Sequence, residues 1–183
     1  MCGISGMISS EPISPIIISR VEEMNNQLHH RGPDSSGLFS SQNTVMSMRR
    51  LSIIDVEGGA QPLFDQSKEI VLVCNGEIYN HVELRSSLLK MGYEFSSKSD
   101  VETIIYTYLA YGDDFISHLQ GMFAFALWDA RYQRLILARD RLGEKPLYYY
   151  IDKNSLWFSS EITPLVQTIG NEPKLTPEAF NLF

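Results

Sequence analysis

The sequence opens MCGISG, which sets a cysteine directly behind the initiator methionine. If Met1 is removed, Cys2 carries a free α-amine and a thiol on one residue. A thiol of ordinary pKa about 8.5 beside an amine of about 7.7–8.0 is a self-contained nucleophile and base. The neutral amine takes the thiol proton and later returns it to a leaving group, the N-terminal form of nucleophile activation. The other reading of Cys2 is a buried cysteine at the start of a first strand. Chemistry at Cys2 also requires an oxyanion pocket and groups that orient a substrate.

CNGEIYN offers the first of these. The Asn75 amide and the Gly76 N–H would form a two-donor oxyanion site. Asn-Gly between apolar stretches is also the strongest hairpin signal a short sequence carries. Against the hairpin, EIYNHVELR turns helical instead of returning as a partner strand. Arg50 in RRLSIID and Asp100 in SDVE stand at the ends of expected elements. An arginine grips a carboxylate through two parallel hydrogen bonds, and an aspartate holds an ammonium. Together they would fix the two ends of an α-amino acid. Their structural alternatives are a solvated Arg49-Arg50 pair and an acidic group complementing a helix N-terminus.

Other segments carry less chemistry. His29 and His30 in HHRGPD are adjacent and project in diverging directions, and His81 and His118 stand alone, so no metal site is expected. ARDRLGEKPLYYY contains Gly143 and Lys145 without phosphate-loop spacing, and a turn between strands is expected there. Cys74 ends the apolar run IVLVC and reads as a small buried hydrophobe.

These residues need elements to hold them. GISGMIS reads as a strand. SPIIISRVEEMNNQL reads as a helix capped by Ser14, with Pro15 at its first position and Ile17, Val21, Met24 and Leu28 on one face. HHRGPDSSG is a loop; TVMSM and LSIIDV are strands; GGAQPL breaks the pattern and EIVLVC restores it. NHVELRSSLLKMG predicts a helix capped by Asn80, with Leu84 and Leu88 on one face and Gly92 at its end. SDVETIIYTYLAYG predicts a helix with a Ser99–Glu102 capping box. The later third is strand-rich: GMFAFALWD, RLILARD, PLYYYI and SLWFSS, joined by DARYQR and DKNS as hairpin connections. In MFAFALW, Phe123, Phe125 and Leu127 point one way and Met122, Ala124, Ala126 and Trp128 the other. Both faces are apolar, so this strand is covered on both sides. Short reversals between strands favour antiparallel neighbours. The fold class is a layered α+β domain, sheets packed on each other with helices outside. KLTPEAFNLF carries a helix-start signal at Thr176-Pro177-Glu178, which suggests that the polypeptide continues.

With 183 residues, 44% of them apolar and 11% aromatic, the chain has the make-up of one well-cored domain. Its net charge of -7 and lack of basic blocks argue against nucleic acid and against anionic membrane surfaces. Two cysteines make no disulfide framework. No secretory signal or apolar run of membrane-spanning length is present. A cytoplasmic protein is expected.

MCGISG, RGPDSSG, RRLSIID, GGAQPL, NGEIYNH, SDVE, LQGMFAFALWD and ARDRLGEKPLYY occur in that order. The series resembles the N-terminal glutaminase domain of glutamine-dependent asparagine synthetases, a class II glutamine amidotransferase of the N-terminal-nucleophile hydrolase type. The resemblance runs from Cys2 to about Glu161. It implies a four-layer α/β/β/α sandwich with two antiparallel sheets, and hydrolysis of L-glutamine to glutamate and ammonia through a Cys2 thioester. It implies Cys2 as nucleophile, Asn75 and Gly76 as oxyanion donors, Arg50 on the glutamine α-carboxylate, and Asp100 and Glu77 at its α-amino end. A glutaminase domain over 2–161 is expected, with 162–183 as a linker and the start of a C-terminal synthetase domain absent from the chain. ATP and magnesium would belong to that synthetase domain, and no cofactor or metal to this one. The partners implied are L-glutamine, the synthetase domain and, in the full-length protein, a second copy in a homodimer. The alternatives are a glutaminase serving another acceptor, such as a sugar acid, and a non-catalytic regulatory module. Family members often carry a histidine where Met48-Arg49 precede Arg50, and no role is placed on Arg49.

Overall fold

A computed structural model of the chain describes residues 1–52 and 59–170. Its elements run in the order β1 (Gly3–Ser9), α1 (Pro15–Gln27), β2 (Ser35–Ser40), β3 (Thr44–Arg50), β4 (Leu63–Phe64), β5 (Ile70–Ile78), α2 (His81–Lys90) and α3 (Glu102–Tyr111). A 3₁₀ segment (Gly112–His118) follows, then β6 (Gly121–Asp129), β7 (Arg134–Arg139), β8 (Tyr148–Ile151), β9 (Ser155–Ser159) and α4 (Ile162–Ile169). The strands form two sheets, ordered β2-β3-β1-β9-β8 and β4-β5-β6-β7, and every strand pair is antiparallel.

Period-two alternation along the strands builds the layers. One face of the second sheet, with Ile70, Leu72, Cys74, Phe123, Phe125 and Leu127, packs under α2 and α3 through Leu84, Leu88, Ile104 and Ile105. Its other face, with Val71, Val73, Ala126 and Trp128, meets Ile4, Met46, Met48 and Phe158 of the first sheet. The outer face of the first sheet, with Met7, Val45 and Trp157, packs under α1 and α4 through Val21, Met24 and Leu165. The result is the expected α/β/β/α sandwich, and β6 is the two-faced strand that its sequence describes.

Several local expectations differ in detail. Asn75-Gly76 is no turn: β5 runs straight through it, pairing Asn75 with Ala124 and Gly76 with Phe123. The Ser99–Glu102 capping box is not made. The fully buried Glu102 carboxylate instead accepts from the backbone and hydroxyls of Ser96 and Ser97 at 2.6–2.9 Å. Ser14 precedes α1 in extended geometry without a side-chain cap bond, with Pro15 at the first turn. Asn80 precedes α2, but its amide ties to the loop before β6, through His118 O and Gln120 N. The turn expected between RLILARD and PLYYYI crosses from one sheet to the other, because β7 and β8 belong to different sheets. Most of the LSIIDV strand and all of KLTPEAFNLF lie outside the described residues. The stretch from 162 begins as α4, with Leu165 buried against the α1 layer.

Candidate active site

The motif residues converge at one end of the gap between the sheets. Cys2 precedes β1, partly buried against the inter-sheet core. Its Sγ lies 3.4 Å from the N of Leu51 and 3.7 Å from the O of Leu51, just past the end of β3. Arg31, from RGPD, holds the chain end in place. Its Nε donates to the Cys2 carbonyl at 2.9 Å and its Nη1 reaches Glu161 at 3.1 Å, where His30 also bonds. Gly32 allows this loop to lie on β3, since a Cβ there would stand 2.4 Å from the Arg49 carbonyl.

A single pocket is lined by Met1, Cys2, Arg50, Gln61, Cys74, Asn75, Gly76, Glu77, Asp100 and Lys145, among others. All six residues singled out from the sequence border it. Its cavity volume is about 80 Å³, the scale of a small side chain and not of a nucleotide. Arg50 ends β3 and is buried. The neighbouring Arg49 faces the opposite way along the strand and donates to the Asn25 carbonyl and the Asn26 amide at the C-terminal end of α1. That placement gives Arg49 a structural task, binding one carbonyl and one side-chain oxygen in the last turn of a helix.

Asn75 is 2% exposed, and its Nδ2 has no hydrogen-bond partner among the described residues. A buried amide donor left unsatisfied costs about 1–3 kcal/mol and asks for an explanation. The β-ladder supplies a second donor. Phe123, opposite Gly76, uses both its N–H and its C=O toward β7, with Asp140. The Gly76–Phe123 pair is therefore a non-hydrogen-bonded one, and the Gly76 N–H points away from β6. On that outer edge of β5, Cys74 is held by Gln61 and the Ile78 N–H by Asp100 at 2.7 Å. The Gly76 N–H lies between them and faces the pocket. Gly76 is also required by contact, because a Cβ would meet the Met122 carbonyl oxygen at 2.3 Å.

Asp100 is buried just ahead of α3. Behind it, the Arg85 guanidinium donates to the Ser97 and Ser99 carbonyls at 3.0 and 2.7 Å and sits 4.0 Å from Glu102. The SDVE signal therefore has two parts: Asp100 faces the pocket, and Glu102 fixes the loop that delivers it. Glu77 follows on β5, half-buried, on the same strand face as Asn75.

Burial, then the negative charges of Asp100 and Cys2, push the Cys74 thiol well above its ordinary pKa, with Lys145 pulling the other way. Both cysteines border the cavity, but Cys74 is buried and Cys2 only partly so. Lys145 is 9% exposed, and its Nζ approaches the Met1 Sδ at 3.9 Å. It is positioned by the Asp140 carboxylate, which accepts from the N–H groups of Phe123, Leu142, Glu144 and Lys145. Burial pushes the Asp140 carboxyl up, but these four bonds hold it below its ordinary value. Among the described residues, no three His, Cys, Asp or Glu side chains group as metal ligands, and no helix is long and apolar enough to cross a membrane.

Sequence reasoning missed Gln61, Arg31 and Lys145 as pocket and anchoring residues. Their motifs were visible, but no local pattern shows that a side chain reaches a distant backbone.

A family model described as a glutamine amidotransferase domain matches residues 1–183. The chain belongs to the glutamine amidotransferase domain family. This amidotransferase domain is 39% identical over 185 residues to asparagine synthetase [glutamine-hydrolyzing] 1 of Bacillus subtilis, covering 100% of this chain and 29% of that protein. It is 42% identical over 177 residues to asparagine synthetase B [glutamine-hydrolyzing] of Escherichia coli, covering 94% and 32%. The domain thus spans about three tenths of the length of these relatives. In architecture it matches the glutamine phosphoribosylpyrophosphate amidotransferase of B. subtilis, with a TM-score of 0.74 at 19% identity, over 92% of this chain and 44% of that one. An allosteric regulatory enzyme of purine biosynthesis matches with a TM-score of 0.75 at 20% identity, over 92% and 43%. At such identities the likeness is one of fold alone.

Proposed function

We propose that this domain hydrolyses L-glutamine to glutamate and ammonia, with Cys2 as nucleophile. One observation carries the reading: a buried amide donor at Asn75 with no partner among the described residues, beside a backbone N–H at Gly76, in the pocket that Cys2 borders. Two donors directed into one pocket suit a ligand oxygen that gains negative charge during reaction.

Removal of Met1 frees the Cys2 α-amine and clears a side chain from the pocket wall. The amine takes the thiol proton, and the thiolate attacks the side-chain amide carbon of glutamine. Asn75 Nδ2 and the Gly76 N–H hold the tetrahedral oxyanion. The protonated amine passes its proton to the departing nitrogen, the C–N bond breaks, and ammonia leaves a γ-glutamyl thioester on Cys2. Water then attacks the thioester, giving its proton to the same amine. The C–S bond breaks, glutamate departs and the thiol is restored. Arg50 takes the α-carboxylate of glutamine by charge, and Asp100 with Glu77 takes its ammonium.

The relatives' names and the share of their length that this chain spans support a further step. In the full protein, ammonia passes to an ATP- and magnesium-dependent synthetase part beyond this chain, which makes asparagine. No residue of this domain is assigned to ATP or magnesium.

The experiment is glutamate release by the wild type and by Cys2→Ala, with mass spectrometry of the N-terminus. Loss of glutamate release in a folded Cys2→Ala protein is expected, together with wild-type chains that begin at Cys2. Undiminished release without Cys2 would end the proposal.

A further inference from the structure

The segment GGAQPL interrupts the strand pattern, and the reaction scheme above leaves it without a task. In the structure Gln61 borders the pocket, and its side-chain amide clasps the backbone of Cys74. Gln61 Nε2 donates to the Cys74 carbonyl at 3.1 Å, and Oε1 accepts from the Cys74 N–H at 2.7 Å. The donor and acceptor meet the strand as a paired residue's own backbone would.

The β4–β5 register explains why a side chain stands there. It pairs Leu63 with Leu72 and Phe64 with Val71. Continued, it would set residue 61 opposite Cys74 and residue 59 opposite Gly76, and a paired residue 59 would occupy the Gly76 N–H. The ladder does not continue. The Gln61 backbone instead packs on Gly37 of β2, where a Cβ would come within 2.0 Å of the Gln61 carbonyl oxygen. The Gln61 amide satisfies Cys74 and ends the ladder one pair short of Gly76. Asp100 holds the same strand edge on the far side, at Ile78.

We infer that Gln61 is a positioning residue for the oxyanion site: its amide closes the β4–β5 ladder at Cys74 and so keeps the Gly76 N–H open and aimed into the pocket beside Asn75. The inference rests on the amidohydrolase reading above. Gln61 needs no contact with substrate; it acts through the strand. A donor displaced by about 1 Å costs on the order of 100-fold in rate, while ground-state binding through Arg50 and Asp100 is left alone.

The test uses Gln61→Met, which keeps length and loses both bonds, and Gln61→Glu, which keeps an acceptor for the Cys74 N–H but repels its carbonyl. In each, kcat for glutamate release is expected to fall about 10- to 100-fold, with KM for glutamine and inhibition by glutamate within about threefold of wild type. The rate of Cys2 alkylation by iodoacetamide is expected to stay unchanged, which a collapsed pocket would not allow. If the Met variant does not fold, the Glu variant decides on the same readouts. A kcat within about twofold of wild type overturns the inference. So does a joint loss of kcat, KM and alkylation, which would make Gln61 a support of the whole pocket. The Cys2→Ala protein run alongside separates the two proposals. Glutamate release that survives Cys2→Ala defeats the amidohydrolase reading, whereas full activity of the Gln61 variants in a Cys2-dependent enzyme defeats only this inference.

Discussion

Replacing Asn75 with Ala is expected to separate activity from stability in a way that an ordinary buried asparagine would not. Its Nδ2 is buried without a partner among the described residues. The folded state therefore already bears the desolvation of that donor, about 1–3 kcal/mol. Alanine removes the donor and this penalty with it. It also removes packing atoms, but on the wall of an existing cavity and not from a filled core, so the cavity term that makes large-to-small core changes costly is small. The two contributions oppose each other, and the net change is expected to lie between zero and a gain of about 1 kcal/mol, or at most a rise of roughly 2–4 °C in Tm for a domain of this size. Catalysis has no such compensation. Loss of one oxyanion donor is expected to lower kcat by about 10²–10³-fold, equivalent to roughly 2.7–4 kcal/mol of transition-state stabilisation. The assays are thermal unfolding followed by circular dichroism and steady-state glutamate release, with the N-terminus verified by mass spectrometry. A fall in Tm of more than about 4 °C with kcat kept within about tenfold would refute the reasoning. It would show the amide to be a structural group whose partner forms in solution.

Further outcomes follow from the same geometry. Asp100→Asn keeps an acceptor for the Ile78 N–H and loses the charge facing a substrate ammonium. A charge-assisted hydrogen bond worth about 1.5–3 kcal/mol then corresponds to a rise of about 10- to 150-fold in KM for glutamine with kcat little changed, and an unchanged KM removes Asp100 from substrate binding. The raised Cys74 pKa makes stability fall at alkaline pH. The unfolded thiol ionises above about pH 8.5 while the folded one stays protonated, so stability is complete below that pH and is lost by up to about 1.4 kcal/mol per pH unit above it. Cys74→Ala, compared by urea unfolding between pH 7 and 10, is expected to flatten this decline. An unchanged slope would mean that Cys74 ionises in the folded protein.

Much of this domain is written in local sequence, because its cause is local. Alternating apolar residues on both faces of MFAFALW determine a strand buried on both sides, since period two is the geometry of an extended chain. The structure covers it with a helical layer on one side and the other sheet on the other. The helix over Pro15–Gln27 and the hairpin joining β6 to β7 follow from the same kind of signal. The identity of the candidate residues was also legible, as ordered motifs, and all six border one pocket.

What tertiary structure alone decided is how backbone donors are shared out between distant segments. Asn75-Gly76 has the residue types of a turn, yet it lies inside β5, because β6 approaches so closely at Gly76 that only glycine fits and the ladder carries the chain straight on. Ser99 and Glu102 have capping-box spacing, yet Glu102 is drawn inward by the Ser96–Ser97 loop and Arg85. Gln61 looked like part of a break, and its task exists only because β4 ends opposite a strand 13 residues further along the chain. In each case a contact outside the local motif outweighs a local preference worth about 1 kcal/mol. Sequence spacing reports which residues share a face. Which N–H is left open for a substrate depends on which strand fails to pair with it, and that is a property of the assembled sheet.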